Sequence, residues 1–183
     1  MSPETESPSP GPSRSGIVLK SRWLWLPLLV AMSCGAGDSV ATDLKAGSVT
    51  DKAPVFLIAL EDGGVDGRRV GCGDSAVPVE MTLPRRGPAL KGALDELLSL
   101  RETFDTRTGF YNALHGSRLE VARIERAGPD VRVHLDGYLE IGGTCDSPRI
   151  LAQLTETALQ FEDVQRATFF LEGKPLARLL SDK

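Results

Sequence analysis

From Val55 to Leu60 the chain is an unbroken apolar run, closed by Pro54 on one side and by Glu61-Asp62-Gly63-Gly64 on the other. A short apolar run between turn signals predicts a strand buried on both faces. Val77, Val79, Met81 and Leu83 then alternate with Pro78, Glu80, Thr82 and Pro84, the period of a half-buried strand, and Pro78, which has no N–H for a ladder, places that strand near a sheet edge. After Gly87 the period changes. Pro88 stands at a first-turn position, and Leu90, Ala93, Leu94, Leu97 and Leu98 recur at helical spacing. Residues 103–117 hold Phe104, Phe110, Tyr111 and Leu114 without a clean period, which predicts an ordered loop with its aromatic residues turned inward. Leu119 to Glu125 and Val131 to Leu135 flank a turn at Ala127-Gly128-Pro129-Asp130 and predict a β-hairpin with His134 on its polar face. Pro148 opens a second helix whose apolar side carries Ile150, Leu151, Leu154, Ala158 and Phe161. Arg166 to Leu171 is a closing strand, and Leu176 to Leu180 is too short for either period to decide. The order predicts an α/β (α+β) domain, a mixed and mostly antiparallel sheet with two main helices on one face.

The first third of the chain follows other rules. Lys20 and Arg22 precede the apolar run Trp23 to Met32, which is followed by small residues, the order of a secretory signal. That run is too short, and is interrupted by Pro27, to cross about 30 Å of hydrocarbon as a helix. Ala31-Met32-Ser33-Cys34 resembles a bacterial lipobox, although Ala31 and Met32 are atypical of it. Two outcomes stand side by side: lipidation at Cys34, or cleavage near Ala36 and release. The expected organisation is an extension and signal sequence over residues 1–36, a small, polar tether over 37–53, and one domain over 54–183. Membrane contact would come only through the leader or a lipid anchor.

Composition narrows the chemistry. The net charge of −4 over 183 residues, with Lys and Arg scattered, offers nothing for a phosphate backbone, so no nucleic acid partner is expected. Beyond Cys34 the remaining cysteines, Cys72 and Cys145, make an even pair in a chain that leaves the cytoplasm, and a disulfide follows. With His115 and His134 they show no zinc spacing, and a paired thiol is lost as a nucleophile. Gly71-Cys72-Gly73-Asp74-Ser75-Ala76 has the spacing of a dinucleotide turn but runs into a strand where that turn requires a helix. Asp95-Glu96 and Glu162-Asp163 are sequence neighbours and do not face one another. No catalytic residue, metal or cofactor is expected.

Taken together, the strand at Val55-Phe56-Leu57, the strand at Val77-Pro78-Val79, the Pro88 to Leu98 helix, the Gly109-Phe110-Tyr111-Asn112-Ala113-Leu114 loop and the Ser117-Arg118-Leu119 strand start resemble the GerMN domain. The helix around Leu151 to Leu159 and the close from Val164 to Phe169 into Glu172-Gly173-Lys174 resemble its C-terminal half. That family occurs in bacterial envelope lipoproteins and in sporulation and spore-germination proteins. The resemblance implies a noncatalytic binding or scaffold module of the cell envelope, lipid-anchored or secreted, with an envelope protein as partner and self-association as a possible mode. A module for cell-wall glycan or another small envelope ligand is the alternative, with Phe104, Phe110 and Tyr111 as its candidate loop. An envelope enzyme comes third.

Overall fold

The computed structural model describes residues 52–83 and 87–181. The leader, the tether up to residue 51, Cys34 and the Arg85-Arg86 pair lie outside the described residues. Two sheets share one core. The first has the order β1-β3-β2, with β1 at Lys52–Ala59, β2 at Arg68–Arg69 and β3 at Ser75–Thr82. The second has the order β4-β5-β6-β7, with β4 at Arg118–Ala127, β5 at Asp130–Tyr138, β6 at Arg166–Leu171 and β7 at Lys174–Pro175. Among the described residues only the β5–β6 pairing is parallel. The α+β class is the expected one, with its strands divided between two sheets.

Helices α1 (Ala89–Ser99) and α2 (Asp146–Leu159) pack on each other, and each touches both sheets. Leu94 and Leu97 of α1, Ile150 and Leu154 of α2, Val55 and Leu57 of β1, and Val131, Val133 and Leu135 of β5 form one buried cluster. The segment that fitted neither period is a third helix, α3 (Leu176–Ser181), which adds Leu176 and Leu180 to that cluster.

Two local features show how pattern becomes register. In β4 the inward residues Leu119, Val121 and Ile124 break the period of two. A bulge at Ala122 absorbs the extra residue, so Val121 faces Leu135 and Ile124 faces Val133. The second feature refines the placement of β3, which is central in the strand order but is flanked by β2 only at Ser75 and Ala76, so that Pro78 stands where one side of the strand is unpaired. Pro78 faces Phe56, whose N–H goes to Thr157 Oγ1 at 3.0 Å and whose carbonyl accepts from Gln153 Nε2 at 3.0 Å. Phe56 therefore directs its backbone groups away from β3, and the position of the missing Pro78 N–H lies on the other side, beyond the end of the two-residue β2.

The outer edge of β1 is closed by side chains and a loop. Tyr111 exchanges both backbone hydrogen bonds with Ile58, at 2.9 and 2.8 Å, and Gln160 of the α2 C-terminus donates to the Pro54 carbonyl. With Gln153 and Thr157 at Phe56, the outward backbone groups of Pro54, Phe56 and Ile58 are satisfied, which removes a template for strand addition.

Candidate binding surface

The loop between α1 and β4 is tied internally before it meets the body. Asp105 Oδ1 accepts from the backbone of Arg107 and Thr108 and from the Thr108 hydroxyl, while Gly109, at φ +73°, returns its N–H to the Asp105 carbonyl at 2.7 Å. Phe110 and Thr103 carbonyls then accept from Asp105 and Asn112. Burial opposes ionisation of Asp105, but the Thr108 bonds and the nearby Arg107 outweigh it and hold its carboxyl below the ordinary range. Behind the loop, buried Gln153 accepts from the Ala113 N–H at 2.8 Å and reaches Asn112 Oδ1.

Tyr111 is the hinge of this surface. Its ring lies 5.5 Å from Phe104 and 6.0 Å from His115, and the Arg149 guanidinium sits over it at 5.3 Å. Its hydroxyl donates to Asp146 Oδ1 at 3.1 Å. Burial, and then the Asp146 charge that the hydroxyl contacts, push the phenol up to about 12. Phe110 is half-buried against the core, as expected of the loop, but Phe104 is 50 % exposed. The inward placement expected for Phe104 fails because Tyr111, paired to β1, already fills the inner position and leaves Phe104 outside it, its ring tilted at 56° to that of Tyr111.

Cys72 and Cys145 form the disulfide the sequence predicts, with Cα atoms 5.8 Å apart. Cys72 adopts a left-handed φ of +64° between Gly71 and Gly73. Gly71 lies so close to the Pro148 ring that a Cβ there would come within 3.0 Å of it, so the glycines serve a bend around the cystine. Beside the disulfide runs an ionic bridge invisible in the sequence. Arg149 donates from Nε to the fully buried Asp74 at 2.7 Å and from a terminal nitrogen to Asp146 at 3.2 Å. Burial opposes the Arg149 charge, yet the hydrogen bonds it donates to the Asp74 and Asp146 carboxylates raise its affinity for the proton. Only the three-residue spacing of Asp146 and Arg149 was there to be read; Asp74 arrives from the other half of the chain.

His134 does lie on the solvent side of β5, but its ring is largely covered, stacked on Phe170 at 5.0 Å and with Nε2 3.3 Å from Glu125. His134 and Cys145 are not brought together as nucleophile and base, since Cys145 is in the disulfide. Among the described residues no group of three His, Cys, Asp or Glu side chains converges as a metal site.

Residues 62–177, more than half of the chain, match the family described as Germane: Sporulation and spore germination. The protein belongs to that family. Its GerMN domain is similar to two solved structures from Bacillus subtilis. One holds the tandem GerMN domains of the sporulation protein GerM, at 14 % identity and a TM-score of 0.49, covering 78 % of this chain and 43 % of that one. The other holds the first GerMN domain of GerM, at 15 % identity and a TM-score of 0.49, covering 69 % and 86 %. The chain thus spans less than half the length of the tandem structure. No curated protein matches the sequence. The disulfide marks the GerMN domain as built for an oxidising compartment, and no described helix is long and apolar enough to cross a membrane.

Proposed function

We propose that this GerMN domain is a noncatalytic, extracytoplasmic binding module of the bacterial envelope that docks another protein through the loop around Tyr111. The observation that carries the reading is Phe104: a half-exposed ring held on a base that is fixed by hydrogen bonds, cation–π contact and strand pairing. A rigid aromatic presented to solvent is the type of group that anchors a partner at low entropic cost. Because the β1 edge beside it is closed, the partner meets side chains here and does not add a strand. Two ionisable groups of this surface support a noncatalytic role: burial and the Asp146 charge keep Tyr111 neutral, and hydrogen bonds to Asp74 and Asp146 keep Arg149 charged, both far from the neutral range in which general acids and bases work. The chain reaches its compartment through the leader, anchored by acylated Cys34 or released.

The test is site-specific photocrosslinking from position 106 in the native host, comparing the wild type with Phe104→Ser. A discrete protein adduct that the substitution abolishes supports the reading; adducts unaffected by it overturn it. The Phe104–Tyr111 ring pair also favours a second reading, a stacking platform for cell-wall glycan. Binding of soluble glycan fragments, lost in Phe104→Ser, would select it over the protein partner.

A further inference from the structure

The solvent face of β4, β5 and β6 carries a cleft built from residues other than those of the Tyr111 loop. In-register residues there form rows across the strands. Arg132 lies between Glu125 and Thr168, His134 between Arg123 and Phe170, and Asp136 opposite Glu120. Glu172 follows β6 at the same end as Asp136, its N–H bonded to the Leu135 carbonyl and its carboxylate accepting from Gly137 at 3.4 Å. Glu125 accepts from Arg123 at 3.0 Å and lies 3.3 Å from His134, and Asp130 pairs with Arg166 at 2.8 Å, while Glu120, across from Asp136, adds a further carboxylate at that end. Arg132, Asp136 and Glu172 are left without an oppositely charged partner among the described residues.

These three line one shallow cleft of about 580 Å³, with the stacked His134 and Phe170 rings between them. Arg123 and Glu125 also line it but pair with each other, so the cleft is polar in a directional sense, with the Arg132 guanidinium at one end, the Asp136 and Glu172 carboxylates at the other and an aromatic floor in the middle. Arg132 and Asp136 are four residues apart on one strand, about 13 Å at strand rise. An extended peptide of four residues has its two ends at about that separation. We propose that this cleft binds a short peptide with both termini free, its carboxylate on Arg132, its amine between Asp136 and Glu172, and a middle side chain over Phe170. Arg132 supplies the planar fork that suits a carboxylate, and the two acids supply acceptors for an ammonium.

The probe is tetra-alanine in three forms, with free ends, N-acetylated and C-amidated, titrated into the isotopically labelled protein and followed by backbone amide shifts. The free form is expected to move amides of β5 and β6 at millimolar concentration, and either cap is expected to weaken binding about tenfold. Arg132→Gln should make the free and amidated peptides bind alike, and Asp136→Asn with Glu172→Gln should do so for the free and acetylated ones. All three are exposed surface positions, and the amide spectrum reports that the fold is kept. Absence of shifts at about 10 mM free peptide, or equal binding of all three forms to the wild type, would overturn the proposal.

Discussion

Arg149 holds Asp74 by a 2.7 Å hydrogen bond that runs alongside the Cys72–Cys145 disulfide, since Asp74 stands two residues after one cysteine and Arg149 four after the other. The same two segments are thus joined twice, once covalently and once by charge. The cystine acts mainly on the unfolded chain: it closes a loop with a sequence separation of 73, which in the loop-entropy picture is worth about 4 kcal/mol. The ion pair acts on the folded state. Cys72→Ser with Cys145→Ser is therefore expected to lower stability by about that amount while leaving the native amide spectrum in place outside residues 70–75 and 143–149. Urea denaturation with the spectrum of the variant checks both halves, and a global loss of dispersed signals would show that the ionic bridge does not hold the segments by itself.

Removing the other link should do more damage to the native state. In Arg149→Leu the Asp74 carboxylate, 1 % exposed, would be buried without its cation, and breaking one side of such a pair costs about 3–5 kcal/mol. Asp146 and the Tyr111 hydroxyl would lose their common neighbour as well. If denaturation instead shows a loss below about 1 kcal/mol, the bridge behaves as a surface pair and the site has admitted water.

Much of the architecture could be read from periodicity. Residues such as Val131, Val133 and Leu135, or Ile150, Leu154 and Ala158, announce both their element and the face they bury, because each spacing fits only one structure. The disulfide was legible from cysteine number and compartment. What escaped depends on contacts between distant segments. Pro78 was read as an edge signal, and the unpaired side it needs exists only because β2 stops after two residues in a strand that is otherwise central, which no local pattern reveals. Phe104 was placed inside because aromatic residues in loops commonly are; the pairing of Tyr111 with Ile58 decides otherwise. Asp74 and Gln153 are polar, and nothing in their neighbourhoods says that both are fully buried.

Gln153 is the test of how the β1 edge is closed. Its amide accepts from Ala113 N–H and donates to the Phe56 carbonyl, so one side chain in α2 satisfies backbone groups from a loop and from a strand. Gln153→Leu keeps the volume but leaves both groups buried without partners, at about 1–3 kcal/mol each. A loss of about 3 kcal/mol is expected, with faster amide exchange at Ala113 and a greater tendency to associate as the edge opens. Gln153→Glu separates shape from hydrogen bonding, because its carboxylate can still accept from Ala113 but cannot donate to Phe56. Equal stability of the Leu variant and the wild type would mean that these groups find other partners.

Alkaline titration reaches Tyr111 directly. Its phenol ionises at an ordinary value of 10.0 in the unfolded chain and at about 12 in the folded one, because burial and the Asp146 carboxylate both oppose the phenolate. The folded state therefore holds this proton more tightly. The resulting stability is fully present below pH 10 and is lost as the pH rises through the folded value near 12, since the unfolded chain gives up the proton first. Denaturation midpoints should fall across that window in the wild type and fall less steeply in Tyr111→Phe, which has no phenol to ionise. Tyrosinate absorbance should show the matching late step near pH 12 in the wild type only. If the two proteins lose stability in parallel between pH 10 and 12, the Tyr111 hydroxyl is neither buried nor bound to Asp146 in solution, and the anchoring of the Phe104 surface rests on the ring contacts and the Ile58 pairing alone.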